Sequence, residues 1–224
     1  MRPNGAMVLY YDIAAHAVDD HDDWHTHEHF PERLSIPGFL RASRWVAVDG
    51  GPRYLVLYEV SEAAVLGGTP YLERLNNPTP WTARTMVNFR GMARGFCSIV
   101  ASSGAGLGHA MLSIRFASAA GRENELREWL TATVLPGISS RPGAVCARLL
   151  ESAATPPMTK EQAIRGKDAS ISSVLLLTGY SPDSLLRIAG AELSAAQFEQ
   201  HGASIEAARG HYRLDIVLTK EECA

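Results

Sequence analysis

Displacing the sequence against itself by 105 positions lays residues 22–42 on residues 127–147 without a gap. Trp24, Thr26, Pro31, Ser35, Pro37, Gly38 and Ala42 then meet Trp129, Thr131, Pro136, Ser140, Pro142, Gly143 and Ala147. Seven identities in 21 positions exceed the roughly one or two that ordinary residue usage gives by chance. We read this as an internal duplication. A chain of 224 residues is then expected to hold two units of about 110 residues, each able to bury its own core.

The copies differ in one respect that bears on function. His21, His25 and His29 fall opposite Leu126, Leu130 and Val134, while His27 and Glu28 fall opposite Ala132 and Thr133. A spacing of four puts the three histidines on one stripe of a helix. The same stripe is apolar in the second copy, so it is expected to face the core. The first unit thus places imidazoles where its sister has plain packing.

Each copy reads in the order strand, helix, strand, strand, helix, strand. In the first, strands are expected at 7–14, 39–48, 53–60 and 94–101, with Asp49-Gly50-Gly51-Pro52 as a hairpin connection. Asp19 or Asp20 is expected to cap the opening helix, and Pro31 to end or bend it near Phe30. Thr69-Pro70 and Thr79-Pro80 each offer a cap followed by proline. The second copy repeats the order with strands at 109–118, 144–152, 170–179 and 210–219. This is the split βαβ, ferredoxin-like arrangement. The expected division is residues 1–101 as the unit carrying the histidines, 102–108 (Ser-Ser-Gly-Ala-Gly-Leu-Gly) as a flexible linker, and 109–224 as a structural unit. Its polar insertion, Thr155–Asp168, is expected to be exposed and mobile.

Hydrophobic content of 46%, charged content of 20% and a net charge of −3 describe an ordinary globular chain. They lack the basic excess of a nucleic-acid binder or of a protein drawn to anionic membranes. No apolar run nears the roughly 18 residues of a membrane span and no signal peptide opens the chain, so a cytoplasmic protein is expected. Cys97, Cys146 and Cys223 form no CxxC pair, which supports neither a disulfide framework nor a thiolate zinc site. The first two read as small core residues.

After the first strand stand Trp24, Glu28, His29, Pro31-Glu32-Arg33-Leu34 and Pro37-Gly38-Phe39. In tandem ferredoxin-like units this pattern resembles the dimeric α/β-barrel superfamily, and within it the EthD-like and related bacterial members. Arg53–Glu59 and Asn77–Arg84 are similar to such members as well. The resemblance implies an α+β fold in which two antiparallel sheets pack into a barrel, usually across a dimer and here within one chain. It also implies a small-molecule ligand, since the superfamily includes cofactor-free monooxygenases, lactone isomerases, polyketide-tailoring enzymes and haem-dependent enzymes. Fold alone selects none of these. His25 and His27 depart from the pattern.

From the residues themselves, Glu28 and His29 are candidates for general acid/base work in a pocket between helix and sheet, because imidazole titrates near neutral pH. His25, Arg44, Trp45, Tyr58 and Trp81 are candidates for substrate binding. Strand parity puts Arg41 and Arg44 on opposite faces, so only one can reach a pocket, and a salt bridge to Glu59 is the plainer expectation for an inward arginine. His21, His25 and His29 can alternatively bind a transition metal, with Asp12 or Asp22 adding a ligand, although His21 sits near enough to the helix start to lie in solvent. A haem on one of these histidines is a further reading without an attachment motif.

The leading expectation is a cofactor-independent enzyme that moves a proton on a small, partly hydrophobic carbonyl- or phenol-bearing molecule. The competing one is a binding or assembly module without chemistry. No nucleic-acid or membrane partner is expected, and a homodimer of intrachain barrels is compatible with either reading.

Overall fold

The computed structural model describes residues 2–204 and 208–223. The first unit runs β1 (Gly5–Ile13), α1 (Val18–Trp24), α2 (Phe30–Leu34), β2 (Phe39–Asp49), β3 (Tyr54–Val60), α3 (Thr69–Asn76), α4 (Pro80–Met86) and β4 (Phe89–Gly104). The second runs β5 (Ala110–Phe116), α5 (Glu123–Glu128), α6 (Leu135–Ile138), β6 (Ala144–Ser152), α7 (Lys160–Arg165), the short β7 (Ala169–Ser170), β8 (Ser173–Gly179), α8 (Pro182–Ala191), α9 (Ala195–Gln200) and β9 (Ala208–Thr219).

Strand order is β1-β3-β2-β9-β5-β8-β6-β4, and β4 returns to β1, so eight antiparallel strands close a barrel. Within each unit the order is that of the ferredoxin-like sheet. The units join where β2 pairs with β9 and β4 pairs with β6. Both faces of each strand are therefore covered, which accounts for the nearly unbroken apolar runs. In β1, Met7, Tyr11 and Ile13 face the helices, whereas Ala6, Val8 and Tyr10 fill the lumen. A separate core lies under the helices of the second unit. None of the described helices is long and apolar enough to cross a membrane.

Three local expectations are corrected and a fourth is narrowed. No side chain caps the opening helix: Ala17 holds the cap position, and Asp19 and Asp20 sit in the first turn, where their charges suit the helix dipole. Of the two outcomes expected at Pro31, an end or a bend, the helical run does not end there but continues to Leu34. A widened turn, His25–His29, precedes it, with the Phe30 N–H bonded to the carbonyl of His25 five residues back. Such a turn gives the proline ring room at the carbonyl it would otherwise strike. The second unit has the same device in Trp129–Val134 ahead of Pro136. Thr69 is the first residue of α3, with Gly68 at its cap, whereas Thr79 caps α4 as expected. Finally, β4 continues to Gly104, so Ser102–Gly104 are wall rather than linker, paired with Arg148, Ala147 and Cys146 of β6.

The Pro-Gly pair common to both copies has a backbone cause. Gly38 and Gly143 have φ of 92° and 90°, a region that side chains strain to enter. A Cβ on Gly38 would also lie 2.6 Å from Val65 Cγ2. Gly38→Ala is expected to lower stability by about 1–3 kcal/mol, read as a fall in the urea midpoint at unchanged slope.

Candidate active site

The helical run 18–34 lies on the outer face of the first unit's sheet, and its buried stripe is His21, His25 and His29. Their counterparts Leu126, Leu130 and Val134 are buried in the same layer of the second unit. The widened turn keeps residues four apart in line, so the sequence spacing survives Pro31.

The three imidazoles divide into one that is fully engaged and two that are not. Tyr11 donates its hydroxyl hydrogen to His21 Nε2 (3.0 Å), and His21 Nδ1 donates to Asp22 Oδ1 (2.9 Å). His21 is thus buried rather than in solvent, and it serves a network. Tyr54 also donates to Asp22 Oδ1 (2.8 Å), and Arg44 donates to the Asp22 carbonyl (3.0 Å) and to Asp215 Oδ2 (2.7 Å). This network ties the helix to β2 and β9.

His25 and His29 line a cavity of about 30 Å³ between helix and sheet. His25 Nε2 lies 3.1 Å from the Tyr58 hydroxyl, and the His29 ring rests on Trp24 with centroids 4.2 Å apart. The Nδ1 atoms of both are buried with no protein partner, as is Nε of Arg94, which lines the same cavity. Buried polar atoms of this kind are uncommon in folded proteins, and three of them belong to residues that line this one small cavity. Met7, Met86 and Met92 supply pliable apolar wall.

The cavity is closed by the insertion expected to be mobile. The helix α7 packs on α3 and α4 of the first unit, and β7 pairs in parallel with β4. Arg33 Nη2 donates to Glu161 Oε2 (2.6 Å), Arg94 Nη2 lies 2.8 Å from Asp168 Oδ2, and Arg165 pairs with the same aspartate (2.9 Å). All of these side chains are buried. The polar composition of Thr155–Asp168 thus reflects charges matched across the units rather than a solvated loop, and Glu161 and Arg165 become part of the cavity wall.

Burial pushes the His25 and His29 imidazoles well below their ordinary range. The neighbouring His21 and His29 add to the effect on His25, and the Arg33 and Arg165 charges add to it on His29. Burial also lowers His21, against the pull of Asp22. Burial holds the Tyr58 phenol far above its usual value, so it stays a hydrogen donor. At neutral pH the cavity therefore presents neutral imidazoles beside guanidinium groups whose charges are matched by Glu32, Glu161 and Asp168.

Of the candidates named from sequence, His25, His29 and Tyr58 meet at the cavity and the others do not. Glu28 points to α4, accepting from Thr79 Oγ1 (2.6 Å), Thr82 Oγ1 (3.2 Å) and Trp24 Nε1 (3.2 Å). Adjacent helical residues face different ways, and the carboxylate nearest His29 Nδ1 is Glu32 at 3.9 Å. Arg44 belongs to the Asp22 network, and Trp45 faces the lumen, bonded to Ser43. Trp81 sits at the helix edge, donating to Asp20 Oδ1 (3.1 Å). Arg41 takes the expected salt bridge to Glu59.

The geometry gives the metal reading no support. Both His21 nitrogens are occupied, and among the described residues no three His, Cys, Asp or Glu side chains gather as a metal site. A haem finds no free axial imidazole here: His21 is bonded at both nitrogens, and His25 and His29 are packed against Trp24, Phe30 and Tyr58.

No family model and no curated protein sequence matches the chain. Solved structures do. An anthrone oxidase-like protein superposes with a TM-score of 0.66 at 9% identity, over 100% of this chain and 96% of its own. A candidate monooxygenase from Fusobacterium nucleatum gives 0.60 at 9%, over 98% and 96%. The chain has the dimeric α/β-barrel fold. A candidate chlorite dismutase, at 0.55 and 9% identity over 96% of each chain, shares it. In this instance of the dimeric α/β barrel a single polypeptide supplies both sheets, and the second unit covers the pocket of the first.

The lowered imidazoles and the buried ion pairs each have a measurable consequence for stability. An imidazole kept neutral in the fold lets the unfolded chain bind protons first as pH falls, so it costs stability below its unfolded pKa of about 6.5 and nothing above. His29→Val, which copies the second unit, is expected to flatten the loss of unfolding free energy between about pH 6 and 5 by up to about 1.4 kcal/mol per pH unit, measured by urea unfolding. Glu161→Ala leaves Arg33 buried with Glu32 alone, and is expected to cost about 3 kcal/mol and to open residues 155–168 to limited proteolysis.

Proposed function

We propose that the chain is a cofactor-independent enzyme that takes a proton from a small, partly hydrophobic molecule carrying a carbonyl or phenol. The observation that carries this reading is the trio of buried, unpartnered polar atoms on one cavity: His25 Nδ1, His29 Nδ1 and Arg94 Nε. The fold shared with an anthrone oxidase-like protein and a candidate monooxygenase supports a small-molecule substrate.

In this reading His29 is the base. A strongly lowered imidazole pKa makes a weak base in an empty pocket, yet the proton and the ligand's negative charge appear together, and each stabilises the other in a dry site. Arg94 Nε donates to the developing oxyanion. Tyr58, kept protonated, gives its hydrogen to His25 Nε2, which leaves His25 Nδ1 as a second donor. Arg33 and Arg165, whose charges disfavour the imidazolium, stay paired with Glu32, Glu161 and Asp168, so the oxyanion relies on Arg94 and His25. Glu28 is a positioning residue that fixes Trp24 beneath His29. Admission of the ligand requires displacement of α7 and the flexible methionines.

Exchange of the acidic carbon-bound protons of anthrone and of 1,3-diketones with D₂O, followed by NMR without oxygen, isolates the proton-transfer step. The wild-type chain is expected to accelerate exchange of at least one of them, and His29→Val to reduce that rate by about 10²–10⁴-fold. Quenching of tryptophan fluorescence by these compounds, lost in Trp24→Phe, with no acceleration of exchange would instead establish a binding module.

A further inference from the structure

The lumen of the barrel is apolar along most of its length. At one end it is not. There β3 places Glu59, β2 places Arg41, and β6 of the other unit places Arg148. Glu59 is 1% exposed and accepts from Arg41 Nε and from Arg148 Nη1. One carboxylate faces two guanidiniums, each of which spends a single nitrogen on it. Among the described residues their remaining N–H groups make no protein hydrogen bond.

Beyond this trio opens a cavity of about 570 Å³, within the range of small-molecule sites and at a barrel mouth, where such sites recur. Leu40, Ile99 and Val100 form an apolar wall, and Val100 is 41% exposed. Arg2 and Glu221 stand on the rim with opposite charges.

The duplication indicates that the trio is more than filling. Arg41 has Cys146 as its counterpart, Arg148 has Ser43, and Glu59, opposite Ala6, has Thr178, opposite Met111. The same positions are filled in the other half without charge. A buried ion cluster is a weak source of stability compared with well-packed apolar groups, so its presence on one side calls for another use.

We propose that this mouth is a second binding site, for a small monocarboxylate with a short apolar tail. The carboxylate bridges the free N–H groups of Arg41 and Arg148, planar donors matched to two oxygens. The tail lies on Leu40, Ile99 and Val100. The single surplus charge selects a monoanion over phosphate.

Calorimetric titration of the full chain with hexanoate, acetate and inorganic phosphate tests this. Hexanoate is expected to bind one per chain and more tightly than acetate or phosphate. Arg148→Gln removes the surplus charge and is expected to weaken hexanoate by at least about tenfold, whereas Glu59→Gln frees both guanidiniums and is expected to tighten it. Should those buried variants not fold, Val100→Glu on the exposed wall is expected to weaken hexanoate severalfold at an unchanged melting temperature. No heat with hexanoate, equal binding of phosphate, or hexanoate affinity indifferent to Arg148→Gln and Val100→Glu would each overturn the assignment.

Discussion

A ferredoxin-like sheet has two edge strands, and both must be paired or shielded if the chain is not to self-associate. Here the edges of one unit are satisfied by those of the other: β2 runs against β9 from Arg41 to Asp49, and β4 against β6 from Cys97 to Gly104. That closure governs the rest of the architecture. It creates a lumen core, forces every helix to the outside, and leaves each unit with its own layer between helices and sheet. Those layers can then diverge without threatening the wall they share.

Divergence is what the duplication permitted. The second unit fills its layer with Leu126, Leu130 and Val134, which bring no polar atom into it. The first unit uses three imidazoles, of which one is consumed in fixing the helix to the sheet and two border a cavity. The second unit also supplies the cover, since α7 crosses to the first unit and is held by pairs with Arg33 and Arg94. One copy keeps the packing and lends a cap; the other carries the polar side chains. The barrel mouth repeats this one-sidedness with Arg41, Glu59 and Arg148.

The fold was largely legible because strand and helix periods repeat at a fixed offset, and even the Pro-Gly turns match in backbone conformation. The histidine stripe was legible because a spacing of four survives the widened turn. Other parts of the site were not. Glu28 follows the motif but sits one residue from His29, so the helix turns it toward Thr79 and Thr82. Strand parity separates Arg44 from Trp45 without saying which face meets a pocket, and here neither lines it. Arg94, Glu161 and Arg165 come from a strand and an insertion far along the chain. Their one sequence trace is the i, i+4 pair Glu161 and Arg165, which reads as a solvated helix until its partners Arg33 and Asp168 are seen.

The chemistry assigned to the first unit requires His25 and His29 to be neutral, buried and unpaired within the folded protein. Nitrogen NMR of selectively labelled histidine, followed from about pH 8 down to about pH 5, reads this directly for each ring. The structure predicts that both rings keep the shifts of neutral tautomers well below the pH at which a histidine in water titrates. Titration of either near about pH 6.5, as for a histidine in water, would show that the first unit has no such cavity at its centre.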